Sequence, residues 1–128
     1  MPQSTPITEA ARAGGHWNPA WDEIAAFDPD WVEKFLTMGL HPVASGALDA
    51  KTYELIAIAV DASCTHLYAP GVRRHIAKAL DLGATPAEVM AVLQCVAVLG
   101  IHSMALGAPI LAEEMKNREL ESPMQTED

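Results

Sequence analysis

Basic residues, aromatic residues and cysteines are all scarce in this chain. Eight lysines and arginines oppose 17 aspartates and glutamates, which gives a formal net charge of -9 at pH 7. Nucleic acids and anionic membrane surfaces are bound by clustered Lys and Arg, so the sequence predicts neither as a partner. Only 5% of the residues are aromatic although 50% are hydrophobic. A core of Ala, Val, Leu, Ile and Met favours packed helices over a β-sandwich.

The two cysteines, Cys64 and Cys95, have neither zinc-type spacing nor the density of a secreted disulfide-linked scaffold. The N-terminal Met-Pro-Gln-Ser-Thr-Pro lacks the apolar run and the charged region of a signal peptide. These two absences predict a reduced, cytoplasmic setting. A length of 128 residues predicts a single domain.

One long apolar segment, residues 89–112, contains no charged residue and is long enough to span a bilayer. Polar or helix-interrupting residues lie inside it: Gln94, Gly100, His102, Ser103, Gly107 and Pro109. Its flanks are acidic rather than basic, which is untypical of a membrane span. We therefore predict a buried central element, completed by a subunit interface in a soluble homo-oligomer.

Local patterns predict an all-α fold. Residues 1–16 lack apolar periodicity and predict a flexible arm, residues 17–118 form the predicted helical domain, and residues 119–128 form an acidic tail.

Capping residues mark the predicted helix starts. Asp28 and Asp49 each precede an apolar-periodic segment, and Thr85-Pro-Ala-Glu88 is a capping box with proline at the first helical position. Gly39 and Pro42 predict the end of the helix that Asp28 begins.

Reactive side chains are concentrated between residues 54 and 75. Cys64, His66 and His75 carry groups that titrate or attack near neutral pH, and Glu54 lies upstream of them. If these residues have only structural roles, Glu54 lies on the polar face of a helix, Cys64 is a small buried apolar residue, and the two histidines are hydrogen-bonded. As functional residues, Glu54 orients an imidazole or acts as a base, and His66 activates Cys64.

Further candidates lie nearby or at a helix break. His102 follows a predicted break at Gly100, and burial of an unpartnered imidazole there costs free energy. Arg73 and Arg74 are either solvated or form a clamp for a carboxylate. Tyr68 and His102 are further candidate substrate-binding residues. Cys95, in mid-helix among apolar residues, is predicted to be core.

Two segments resemble the carboxymuconolactone decarboxylase family, which includes the alkylhydroperoxidase D-type proteins. They are Lys51-Thr-Tyr-Glu54-Leu-Ile-Ala-Ile-Ala-Val and His75-Ile-Ala-Lys-Ala-Leu-Asp-Leu-Gly83-Ala-Thr85-Pro-Ala-Glu88-Val. The resemblance covers roughly residues 48–114. It implies an all-helical fold assembled as trimers or hexamers, with an active site between helices near the subunit interface.

The sequence departs from the peroxidase branch of that family, which carries Glu, a Cys-x-x-Cys pair and His four residues later. Counted back from His75, the two cysteine positions hold Tyr68 and Gly71; counted from Cys64, Leu67 replaces the second cysteine. The resolving thiol of a dithiol cycle is therefore missing. The decarboxylase branch relies on acid–base residues instead, and the sequence is more similar to that branch.

We therefore predict a cofactor-independent acid–base enzyme, a decarboxylase or related lyase or isomerase, for a small carboxylated or carbonyl compound. His75 and His66 are the candidate general acid and base, and Glu54 orients or polarises one of them. Arg73 or Arg74 binds an anionic group of the substrate.

Three alternatives stay open. In the first, Cys64 is a single peroxidatic thiol of a hydroperoxide reductase and is resolved by an external reductant. In the second, His66, His75, His102 and Glu54 bind zinc, copper, nickel or iron, although no His-x3-His spacing supports this. In the third, the chain is a non-catalytic helical assembly module.

Overall fold

The computed structural model describes residues 3–121, which contain seven α-helices, one 3-10 turn and no strand. The elements in chain order are α1 (Pro6–Ala13), the 3-10 turn (Pro19–Trp21), α2 (Asp22–Phe27), α3 (Pro29–Ala44), α4 (Ala50–Asp61), α5 (Ala69–Asp81), α6 (Pro86–Leu99) and α7 (His102–Glu121). The predicted all-α fold is confirmed. The last seven residues of the predicted acidic tail, 122–128, lie outside the described range, and the first three belong to α7.

The predicted caps begin three of these helices. The carboxylates of Asp28 and Asp49 accept hydrogen bonds from the backbone N–H three residues later, at 3.0 and 2.7 Å. The Thr85 hydroxyl accepts from the Glu88 N–H at 3.1 Å. Each bond satisfies a donor that the first helical turn leaves unpaired.

The predicted end of α3 at Gly39 and Pro42 is wrong, because the helix continues to Ala44 with Pro42 inside it. A proline this close to the helix end removes only one late backbone hydrogen bond. In the same region, the Tyr53 hydroxyl of α4 donates to the Gly39 carbonyl at 2.8 Å. A contact from another helix thus supports the turn that proline disturbs.

Two separate clusters of buried apolar side chains hold the helices together. One joins α4, α5 and α6 through Ile58, Ala79 and Val89, together with Ala84 of the loop before α6. Helices α1 and α3 share Ala11, Val32 and Leu36, with Trp17, Trp21 and Phe35 packed against them. The molecule therefore has an N-terminal layer and a central layer, and a cavity lies between them.

The flexible arm predicted for residues 1–16 is wrong over Pro6–Ala13, which form α1 packed on α3. The Glu33 carboxylate of α3 accepts the backbone N–H groups of Ile7 and Thr8 at 2.8 Å and the Thr8 hydroxyl at 2.7 Å. Burial by itself raises the pKa of the Glu33 carboxyl, but these hydrogen bonds outweigh burial and lower the pKa overall. The cap of α1 thus comes from a residue 25 positions away, and no local pattern reveals it.

Glu33→Ala is expected to weaken the docking of α1 at neutral pH by about 1 kcal/mol, since it removes a helix cap. Because the folded-state pKa of Glu33 lies below its ordinary value of 4.5, this stabilisation is present above that value and is lost as pH falls through the folded-state pKa. Urea unfolding at neutral pH and at about pH 3 measures the difference from wild type. The exposed Glu23 of α2 provides the control variant, Glu23→Ala. A Glu33→Ala deficit that does not shrink in acid contradicts the capping role.

Most of the apolar segment predicted to be buried is exposed within this chain, although Val89 belongs to the buried cluster, and Cys95 on α6 is exposed as well. The exposed apolar side chains of α6, α7 and their junction include Val98, Leu99, Ile101, Met104, Leu106, Ile110, Leu111 and Met115. Pro86–Glu121 is long and apolar enough to cross a membrane, by length and composition alone. Helix α6 packs one edge on α4, which leaves its other faces uncovered by this chain.

Candidate active site

Glu54 of α4 and His75 of α5 form a close pair at the centre of the molecule. Glu54 Oε2 lies 2.6 Å from His75 Nδ1, and the carboxylate side chain is 6% exposed. A buried carboxylate requires a partner, since desolvation of its charge costs free energy. An ionised carboxylate can only accept a hydrogen bond, so His75 Nδ1 donates and Nε2 is the nitrogen left for chemistry.

The pair lines a cavity of about 570 Å³ between the two layers. Its walls are mostly apolar and include Ile7, Ala11, Trp21, Phe35, Leu36 and Leu82. Its polar lining residues are His16, Tyr53, Glu54, His75, Lys78 and Asp81. An apolar cavity of this size with a few convergent polar groups is typical of a small-molecule site. Helix α1, which the sequence did not predict, supplies part of the wall.

Besides Asp81, three polar side chains accompany the pair in the cavity. Lys78 Nζ donates to the Gly14 carbonyl at 3.0 Å and lies one helical turn beyond His75. Burial, followed by the Lys78 ammonium, lowers the pKa of His16. Burial, followed by the Glu54 carboxylate, raises the pKa of Tyr53. Near neutral pH, His16 and Tyr53 are therefore neutral hydrogen-bonding groups, and Lys78 supplies positive charge.

A second carboxylate, Asp61, approaches His75 from the end of α4. Asp61 Oδ2 lies 3.6 Å from His75 Nε2, and Asp61 Oδ1 lies 3.4 Å from His66 Nε2. His66 and His75 therefore both contact the Asp61 carboxylate. Asp61 was not among the site residues predicted from the sequence, although its position seven residues after Glu54 puts both acids on one face of a helix.

The other candidate residues lie apart from this pair. Tyr68 accepts a hydrogen bond from the buried Asn18 at 2.9 Å and packs edge-on against the His66 ring. Arg73 lines a separate open groove on α5. His102 is exposed at the start of α7, and Cys64 is exposed between α4 and α5.

Arg74, half-buried on α5, lies outside the cavity lining, as do Cys64 and Arg73.

Over residues 3–121, no group of three or more His, Cys, Asp or Glu side chains has the geometry to hold a metal ion. The metal-site alternative therefore finds no ligand set in that range.

The model of the family described as "Carboxymuconolactone decarboxylase family" matches residues 29–112. The chain belongs to the carboxymuconolactone decarboxylase family. The match starts at the first residue of α3, so it includes a helix of the N-terminal layer as well as the segments that carry the resemblance. A comparison with curated proteins gives no match.

A crystal structure of a protein from Burkholderia xenovorans LB400, described as a "putative gamma-carboxymuconolactone decarboxylase subunit", is similar to this chain with a TM-score of 0.76 and 38% sequence identity. The similarity covers 99% of this chain and 51% of that chain. This family member therefore spans about half the length of that relative.

Proposed function

We propose that this protein is a decarboxylase-type acid–base enzyme that acts on a small carboxylated compound without a cofactor. The observation that carries the proposal is the hydrogen-bonded Glu54–His75 pair in the lining of an otherwise apolar cavity. The family and the description of the Burkholderia relative support a decarboxylase-like activity.

The pair has the groups that this reaction requires. Decarboxylation breaks the bond between the substrate carbon and its carboxylate, releases CO2 and leaves the electron pair on carbon, delocalised into an adjacent carbonyl. A proton must then be added to that carbon. In the proposal His75 donates this proton from Nε2, and Glu54 holds the ring through Nδ1. The apolar walls strengthen each electrostatic contact with the developing charge.

The name of the relative indicates the first substrate to test, gamma-carboxymuconolactone. Chelator-treated protein is expected to release CO2 from the carboxyl-labelled compound and to form an equal amount of decarboxylated lactone. Activity that appears only after metal is added contradicts the cofactor-free mechanism. Absence of CO2 release from this lactone and from a set of related unsaturated lactone acids and keto acids contradicts decarboxylation.

Lys78 is the proposed anion-binding residue, in place of the arginines favoured by the sequence. Lys78→Met is expected to raise KM about tenfold or more, since it removes a charge-assisted contact with the substrate. Steady-state kinetics measures this effect, and Arg73→Met, which changes a cation outside the cavity, is the matched control. Equal KM values for the two variants contradict the role of Lys78.

We also propose that the protein is a homo-oligomer in which further copies cover α6 and α7. The support is the exposed apolar surface of both helices, which this chain leaves uncovered. The resemblance adds the expectation of a trimer or hexamer. A membrane is the competing occupant of this surface.

A further inference from the structure

We propose that Asp61 is a positioning residue for His75: together with Glu54 on the other side of the ring, it fixes the orientation of the imidazole. Gly71, which has no side chain, leaves the space that the Asp61 carboxylate occupies. The proposal rests on the proposed function only in taking His75 as the catalytic group.

The His75 imidazole lies between two carboxylates of one helix. Glu54 contacts Nδ1 at 2.6 Å, and Asp61 lies 3.6 Å from Nε2. A single hydrogen bond leaves the ring free to tilt about its Cβ–Cγ bond. A second charged group at the opposite nitrogen restricts that motion, because rotation away from Glu54 also separates Nε2 from Asp61.

The Asp61 carboxylate approaches Nε2 without forming a hydrogen bond, since 3.6 Å exceeds hydrogen-bond range. Nε2 therefore keeps its hydrogen-bonding capacity for the substrate. This is the arrangement expected of a residue that orients the imidazole without occupying its reactive nitrogen.

Gly71, buried in the first turn of α5, makes room for the Asp61 side chain. A Cβ atom at position 71 would overlap Asp61 Oδ2 and would lie 2.8 Å from both Asp61 Cγ and Tyr68 Cδ1. Any side chain at this position must therefore displace the carboxylate. Alanine has the higher helix propensity, so a loss caused by Gly71→Ala cannot come from a weaker helix.

His66 completes the arrangement from the solvent side. Its Nε2 lies 3.4 Å from Asp61 Oδ1, and its side chain is 52% exposed, whereas that of Asp61 is 15% exposed. His66 thus acts on the orientation of Asp61, and its effect on the reaction is expected to be smaller than that of Asp61 itself.

The test combines Asp61→Asn, Gly71→Ala and the double variant. Each single variant is expected to change the ring 15N resonances of His75 in the unliganded protein and to lower kcat about tenfold, with little change in KM. The double variant is expected to lose no more kcat than Gly71→Ala alone, because Gly71→Ala, which also disturbs Tyr68, already displaces the Asp61 carboxylate. Asp30→Asn, which changes a half-exposed carboxylate of α3 outside the cavity lining, is the control.

Unchanged His75 resonances in Asp61→Asn overturn the proposal, and so do losses that add in the double variant. The resonances are measured without substrate, so they test Asp61 even if decarboxylation is not found. Asp61→Asn is nearly isosteric, which keeps the test decisive if Gly71→Ala does not fold. Asp61→Glu, which retains the charge, is expected to recover part of kcat, and no recovery counts against positioning by charge.

Discussion

His75→Gln is expected to lower kcat by roughly two to four orders of magnitude, the range over which a positioned general acid or base contributes. Glutamine cannot supply a titratable proton to a substrate carbon near neutral pH. Its amide can still donate to the Glu54 carboxylate, so the buried acid keeps a partner. The oligomer and the melting temperature are therefore expected to stay close to those of wild type.

The substitution must be separated from an effect on folding. His41→Gln changes an exposed histidine of α3 outside the cavity lining, and its kcat is expected to stay within about twofold of wild type. Steady-state kinetics, sedimentation and thermal unfolding are measured on both variants. A His75→Gln enzyme with nearly full kcat excludes His75 as the proton donor, and a variant that loses its assembly identifies a structural histidine instead.

The parts of the fold that sequence predicted are those fixed by neighbours along the chain. The caps at Asp28, Asp49 and Thr85 act on N–H groups three residues away, so a short pattern contains the whole interaction. Helix α1 depends on Glu33, a residue in another helix. Local signals were also present, since Pro6 and Glu9 lie in the first turn of α1 and Arg12 in its last, but the cap itself is a tertiary contact.

The predicted site shows a similar division. Glu54 and His75 are brought together, but Arg73 and Arg74 are not part of the cavity although they directly precede His75. Successive helical residues are rotated by about 100°, so adjacent residues point to different sides. Lys78, three residues beyond His75, returns to the same face and lines the cavity. Closeness in sequence was a poorer guide than helical spacing.

Leu106→Glu combined with Leu111→Glu is expected to dissociate the proposed oligomer. Both side chains are exposed on α7 within one chain, at 69% and 62%. If further copies cover them, each leucine contributes about 1.5–3 kcal/mol by burial. The variant loses this contribution and must also bury unpaired carboxylates. Association is then expected to weaken by roughly a thousandfold or more.

Sedimentation in detergent-free buffer is the measurement, and Phe27→Glu is the control because Phe27 is 89% exposed on α2, outside the apolar helices. A wild-type monomer contradicts the assembly, and protein that stays in solution only with detergent favours a membrane.

The residues that line the cavity around His75 all come from one chain. The dissociated variant is therefore expected to keep the His75 ring resonances of wild type, and their loss would show that neighbouring copies hold the layers together.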